Sequence, residues 1–517
     1  MDLNAPHQQV VISELLDVNV KKFKKDFGDA NDFLVREVTL QDAHQTKAAI
    51  IGIDGLVNGT DAQDFIIGLL TVDLSIIDQR LPKNAEAIFD VIYHARVSMF
   101  DANKSNDVQT LYDNILTGHV IVLIDGVACG MIFDCKGWPS RGIGTPMTEK
   151  SLWGPKDSFV ETIRLNTALL RRRLRDPRLR FDVHAVGRMT KTDVFVAHIA
   201  GLTNPEFVKL ANDRIKAIDI DTITNAYELI QLIEDKHHSL LPRLIETERP
   251  DRVMKALSEG QVAIFVDGSP YAIIGPFYFT SAFSAIDDYY NQPLLATVKR
   301  SMRYFAFFAI ILIPGLYIAL STFHQEMIPT SLLITIINQR SANPFSTFVE
   351  IFIVVILFEI IREASLRKPD AIGDSMTIVG SLIMGTTIIE SGLVSYAAII
   401  VGSITTISSF LLSNTRINTA ARLYKIVFMV IGSTFGFYGI TLLFIILMTH
   451  MVSLTSFNQA YLAPMAPFNL SDQKDQLIKL PVTWMKKRPK IFAPLDPIRS
   501  NLTPQPAEKK GGTSHVD

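Results

Sequence analysis

Hydrophobic and polar positions divide this chain of 517 residues into two dissimilar halves. Up to about Val298 the apolar residues recur with the short periods of ordinary strands and amphipathic helices. From about Met302 to about Leu454 long apolar runs dominate. Five stretches have membrane-span character: residues 304–320, 345–361, 372–389, 393–412 and 426–451. A sixth, residues 329–337, is too short to cross and suits a re-entrant or interfacial piece. The pattern predicts an α+β soluble N-terminal half of two related subdomains, followed by a polytopic α-helical membrane domain.

The two subdomains are predicted from a repeat. Residues 118–132 read GHVIVLIDGVACGMI and residues 260–274 read GQVAIFVDGSPYAII. Each copy reads as helix end, glycine stop, apolar strand, Asp-Gly turn and second strand. Asp125-Gly126 and Asp267-Gly268 supply the backbone that tight hairpin turns need, which explains the aspartates without assigning them chemistry. A further hairpin is expected around Met189, Thr190 and Lys191. Between the copies, a helix with Phe159, Ile163, Leu170 and Leu174 on one face is expected to start at Asp157 or Ser158 and stop at Pro177. Its last turns carry Arg171, Arg172, Arg173 and Arg175, either a solvated face opposing the helix dipole or a contact patch for an acidic partner or phospholipid headgroups. The expected domains are residues 1–145, 146–295, a membrane domain at 296–465 with four to six segments, and a basic, partly disordered cytoplasmic tail at 466–517.

Composition adds exclusions. The net charge of −2 argues against a general nucleic-acid binder. Cys129 and Cys135 are the two cysteines, too few for a disulfide framework or a zinc site. No GxxxxGKS, GxSxG, HExxH or paired CxxC motif occurs, so no metal, cofactor or enzymatic chemistry is expected. The start of the chain has no signal-peptide pattern, which leaves the first half on the cytoplasmic side.

Lys299, Arg300 and Arg303 place the start of the first span in the cytoplasm, and Lys486, Lys487, Arg488 and Lys490 place the tail there too. Five crossings cannot satisfy both. Either the last stretch bends back at Gly432, Gly436 or Gly439, or another segment does not fully span. Asp374, Thr377, Ser381 and Gly385 share one helical face, and Ser395, Gly402, Thr406 and Ser409 share another. Such faces serve close helix packing through small residues or line a water-filled path. Asp374 and Glu390, at opposite ends of one span, are candidates for attracting cations at pore mouths or are solvated end residues. Glu350 lies near a helix start, where the dipole eases its burial, and Glu359 is expected to pair with Arg362.

The strings GPKDSFVETIRLNTALLRRRLRDPRL, IETERPDRVMKAL, VDGSPYAIIGP, FHQEMIPTSLL, FEIIREASLRKPDAIGDSMTIVGSLIMG and SFNQAYLAPMAP resemble those of A subunits of the GerA-type spore germination receptors. The resemblance runs from about Asp17 to about Pro489. Asp374 stands where the family usually has glutamine, and Glu390-Ser391-Gly392 where it has Glu-Ala-Gly. The resemblance implies a protein of the endospore inner membrane, acting with a permease-like B subunit and a lipoprotein C subunit to detect nutrients and release ions. It implies homo-oligomerisation, with a pentamer as the expected form, and it turns the polar faces towards a pore lining of Asp374, Thr377, Ser381 and Glu390. The rival expectation is a non-conducting membrane scaffold that relays a signal between partners.

Overall fold

A computed structural model of the chain describes residues 10–28, 30–40, 45–57, 85–96, 102–135, 137, 144–235, 239–341, 343–366, 380, 386, 388 and 390–500. The chain forms two compact units. One holds Met1–Glu234, Leu244–Pro276 and Lys487–Arg499, and the other holds Asp235–Arg243, Phe277–Lys486 and Ser500–Asp517.

The first unit contains the predicted duplication, and it extends well beyond the hairpins. Its first part runs α1 (Leu16–Phe27), β1 (Phe33–Thr39), β2 (Lys47–Ile53), α2 (Ala85–Arg96), β3 (Ala102–Ser105), α3 (Val108–Leu116), β4 (Val120–Ile124) and β5 (Gly130–Phe133). The antiparallel sheet has the order β1-β2-β4-β5-β3. Its second part runs α4 (Ile163–Arg173), β6 (Leu179–Val186), β7 (Thr192–Ile199), α5 (Pro205–Lys216), α6 (Ala226–Ile233), β8 (Ile245–Thr247), α7 (Pro250–Ser258), β9 (Val262–Val266) and β10 (Ala272–Gly275). The order β6-β7-β9-β10-β8 repeats the first topology strand for strand. In each sheet the strand after the second helical segment forms the far edge.

Continuous apolar runs in the central strands follow from burial on both faces. Ile121 and Leu123 of β4 join Phe23, Phe27 and Leu111 on one side of the first sheet. Val120, Val122 and Ile124 join Phe89 and Ile92 on the other. Tyr112 packs edge-on against Phe23 and Phe27, and its hydroxyl donates to Asp26 at 2.5 Å. Burial, with Asp26 beside it, pushes that phenol well above its usual range.

The turn aspartates have a second task. Asp125 Oδ1 accepts the Leu16 backbone N–H at 2.9 Å, and Asp267 Oδ1 accepts the Ile163 N–H at 3.1 Å. Each hairpin thus satisfies an otherwise open donor at the start of the first helix of its own copy. Asn19 and Asn166 match as well. Each side-chain carbonyl accepts the N–H of the residue six positions earlier, Ser13 or Val160, while its amide donates back to the same residue's carbonyl. The helix expected from Asp157 or Ser158 therefore starts later, at Ile163. Thr162 is extended just before it, Asn166 holds Val160, and Asp157 pairs with Arg173 instead. Asp125→Ala and Asp267→Ala are each expected to cost about 1 kcal/mol locally. Hydrogen exchange of the full chain should then be about five-fold faster at the first amides of α1 or α4, respectively, with the other copy unchanged.

The second unit is helical: α8 (Pro293–Thr322), α9 (Thr330–Arg340), α10 (Thr347–Leu366), α11 (Tyr396–Leu411) and α12 (Thr415–Ser453), followed by the short hairpin β11 (Thr455–Ser456) and β12 (Gln459–Ala460). Among the described residues, α8 and α12 are long and apolar enough to cross a membrane. The 39 residues of α12 would reach about 58 Å as one straight helix, nearly twice the thickness of a hydrocarbon core. They do not form one. Gly436 has φ 61° and ψ −148°, and the chain folds back there. Before Gly436, Phe428 lies against Gly315; at it, Phe323 and His324 are the neighbours; after it, Phe444 stacks near Phe308. The first limb of α12 therefore runs parallel to α8 and the second runs back along it.

Where α8 begins, the returning chain is tied to it by buried charges. Arg300 and Asp288 are both 0% exposed, with Arg300 Nε 3.1 Å from Asp288 Oδ2. Arg303 adds bonds of 2.8 and 3.0 Å to the same carboxylate. Arg300 also donates to the Asp475 side chain at 3.3 Å, and Lys479 donates to the Asp288 carbonyl while lying over the Tyr289 ring. Residues 472–479 of the expected loose tail are thus part of the helical unit's core. Farther on, Arg488 donates to the Ser258 carbonyl at 2.9 Å and pairs with Asp496, within the first unit.

Candidate functional site

The polar groups inside the helical unit are the strongest candidate. Glu350, in the first turn of α10, is 0% exposed. Its Oε1 accepts from the Asn343 amide at 2.9 Å and its Oε2 from the Ser395 hydroxyl at 3.0 Å. Ser395 caps α11 by accepting the Ala398 N–H. Tyr317 of α8 packs against the apolar cluster that includes Ile351 and Val394. Ile318, Ile351, Val354, Val394, Ala398 and Met429 pack together in that cluster. Through Asn343 and Ser395 this buried carboxylate has both oxygens satisfied and ties α10 to the start of α11.

Of the small-residue face on α11, Gly402 meets α10 so closely that a Cβ there would lie 2.3 Å from a Val354 methyl. The Thr406 hydroxyl donates to the Gly402 carbonyl, and Ser409 is buried. Glu390 is exposed at the end of its stretch. Asp374, Thr377 and Ser381, with Gly385, lie outside the described residues.

Two sequence expectations are corrected. Glu359 does not pair with Arg362, three residues on. It binds Arg422 at 2.7 Å and Lys425 at 3.3 Å, because α12 runs antiparallel beside α10 and brings both cations to its carboxylate. Arg362 turns to the Ser409 hydroxyl, at 3.1 Å. The arginine cluster of α4 is not one exposed patch either. Arg171 is 1% exposed and grips Asp32 with two bonds of 2.7 and 2.8 Å, stacking its guanidinium over Phe181. Arg173 is half-buried on Asp157, which leaves Arg172 and Arg175 as the exposed members.

The block IETERPDR is also structural. Glu248 Oε1 accepts from the Thr148 backbone, its hydroxyl and the Glu149 backbone at 2.6, 2.7 and 2.9 Å. Buried Arg249 holds Asp251 and the Glu149 and Pro155 carbonyls. These residues clamp the segment that joins the two copies. Periodicity could not single them out, because their burial is set by a segment about a hundred residues earlier.

The chain thus joins a duplicated α+β unit to a helical unit with an internal carboxylate. The family profile described as Bacillus/Clostridium GerA spore germination protein matches residues 21–491. The chain is 34% identical over 505 residues to spore germination protein KA of Bacillus subtilis (strain 168), covering 97% of this chain and 91% of that one. It is 31% identical over 491 residues to spore germination protein GerLA of Bacillus cereus, covering 95% and 97%. A crystal structure of the N-terminal domain of the A subunit of the Bacillus megaterium spore germinant receptor GerK3 aligns at 28% identity and a TM-score of 0.42, over 53% of this chain and 99% of that domain. The chain belongs to the GerA family of spore germination proteins, as a receptor A subunit.

Proposed function

We propose that this A subunit forms the ion-conducting part of a nutrient germinant receptor in the inner membrane of the endospore, as a homo-oligomer for which a pentamer is the expected form. The duplicated unit stands on the cytoplasmic, spore-core side. A permease-like B subunit and a lipoprotein C subunit are the expected partners. The observation that carries this reading is Glu350, a carboxylate enclosed by apolar helices, since an anchor needs no such group and ionisable residues within spans mark ion paths. Topology supports it. Arg300 at the start of α8 and Asp475 after α12 meet, which favours an even number of crossings between them, as do the basic residues before the first span and after the last. The pore lining is then assigned to Asp374, Thr377, Ser381 and Glu390, with Ser395, Gly402, Thr406 and Ser409 packing the neighbouring helix.

The test is cation flux from liposomes holding the chain with both partners, with and without nutrient. Nutrient-dependent flux that falls at least about ten-fold in Thr377→Leu or Ser381→Leu, with assembly intact, supports the channel. Assembled, nutrient-binding complexes with no flux would instead establish the non-conducting scaffold.

A further inference from the structure

At the opposite end of α10 from Glu350, cations outnumber carboxylates. Arg362, Arg422 and Lys425 converge from α10 and α12 on one carboxylate, Glu359. Arg422 and Lys425 both donate to Glu359 Oε1, at 3.1 and 3.3 Å, and Arg422 Nη2 lies 2.7 Å from Oε2. Arg362 is half-buried, and among the described residues no carboxylate lies within ion-pair distance of it. Its guanidinium reaches the Ser409 hydroxyl at 3.1 Å and lies 6.0 Å from the centre of the Phe410 ring. The charges acting on Arg362 are Arg422 and Glu359, and those acting on Lys425 are Glu359, Arg422 and Arg362. Glu363, which follows Arg362 in the chain, is exposed and is not among these charges.

The group of four thus carries three positive charges against one negative, with Lys425 only 4% exposed. Like charges held together in a poorly hydrated place are stable only when a further anion balances them. Surface arginines that merely face water would not explain a lysine buried beneath them.

We infer that Arg362 and Arg422, with Lys425 behind them, form a binding site for a phosphate anion between α10, α11 and α12. The planar guanidinium forks suit phosphate oxygens, and Lys425 adds a point charge. Arg422 and Lys425 lie within the first three turns of α12 and Arg362 within the last two of α10, so the site is at one end of the bundle, at the depth of a lipid headgroup. A phospholipid phosphodiester and free inorganic phosphate share this chemistry. The inference does not depend on conduction, and a non-conducting scaffold would have the same site.

The full chain, purified in detergent, is offered phosphatidylglycerol or phosphatidylcholine, and retained lipid is counted by native mass spectrometry. Inorganic phosphate is titrated in parallel against the thermal midpoint. Selective retention of phosphatidylglycerol, weakened about five-fold in Arg362→Gln and kept in Arg362→Lys, identifies the headgroup as the source. A rise in midpoint with phosphate that Arg362→Gln removes, without lipid selectivity, identifies free phosphate. Arg362→Gln is the variant of choice because it breaks no ion pair that folding requires. Equal retention of both lipids with no response to phosphate, or unchanged selectivity in Arg362→Gln, overturns the site.

Discussion

Asp288→Asn is expected to destabilise the helical unit by about 3–5 kcal/mol, the cost of removing one partner from a buried charge cluster. Asp288 is 0% exposed and accepts from Arg300 and Arg303, while Asp475 supplies the second negative charge. Without the Asp288 charge, Arg300 keeps Asp475 while Arg303 loses the carboxylate it binds. Asparagine retains one acceptor but neutralises nothing. The thermal midpoint in detergent should fall, and residues 472–479 should exchange hydrogen quickly, since they are held to α8 through Arg300. Adding Arg303→Gln restores the charge balance and should recover part of the loss. If Asp288→Asn behaves like wild type, the charges do not hold the returning chain in place. Arg188→Gln is the control: its pair with Asp219 is 67% exposed on both sides, and no measurable change is expected.

Gly315→Val should prevent the first limb of α12 from seating on α8. A Cβ on Gly315 would lie 2.8 Å from the Phe428 carbonyl oxygen, and one on Gly432 would lie 2.8 Å from the Gly315 oxygen. The obstruction at this crossing is backbone rather than a flexible side chain, so the helices must separate. Each alanine is expected to cost about 1–3 kcal/mol, and valine at Gly315 more, read as loss of monodisperse protein and a lowered midpoint. Gly144→Ala, with nothing within 4 Å, should be silent. Gly436→Ala acts differently: there the positive φ carries the fold-back, so backbone strain adds to close Cβ contacts of 3.0 Å with His324 and 3.1 Å with Phe323. A Gly315→Val protein with wild-type stability would mean that the two helices do not meet there.

The duplication was legible because its strongest part is local. The apolar strands and the Asp-Gly turn of each copy lie within fifteen residues, and their pattern needs no knowledge of the rest. The full extent of the repeat was not. Its deeper marks are the Asp125 and Asp267 caps, which bridge 109 and 104 positions, and the Asn19 and Asn166 turns. The aligned segments Glu14 to Asn19 and Glu161 to Asn166 share their first and last residues, a signal too short to register before the contacts are known. Charge partners were misread for the same reason. Spacing along a helix favoured Arg362 for Glu359, whereas chain reversal delivered Arg422 and Lys425 from 63 and 66 positions away. A row of arginines suggested a surface, yet Arg171 was drawn inside by Asp32, 139 positions earlier.

By itself the sequence determined the division into an α+β half and a helical half, the two hairpin copies, and the absence of a recognised catalytic motif. Those follow from periodicity and local turn chemistry, which act over a few residues. Only the tertiary structure decided that α12 folds back at Gly436, that buried charges tie the chain after α12 to the start of α8, and that Glu350 is enclosed by Asn343 and Ser395. Those outcomes depend on which distant groups can satisfy a buried charge or a closely approaching backbone, and no local pattern encodes the choice of partner.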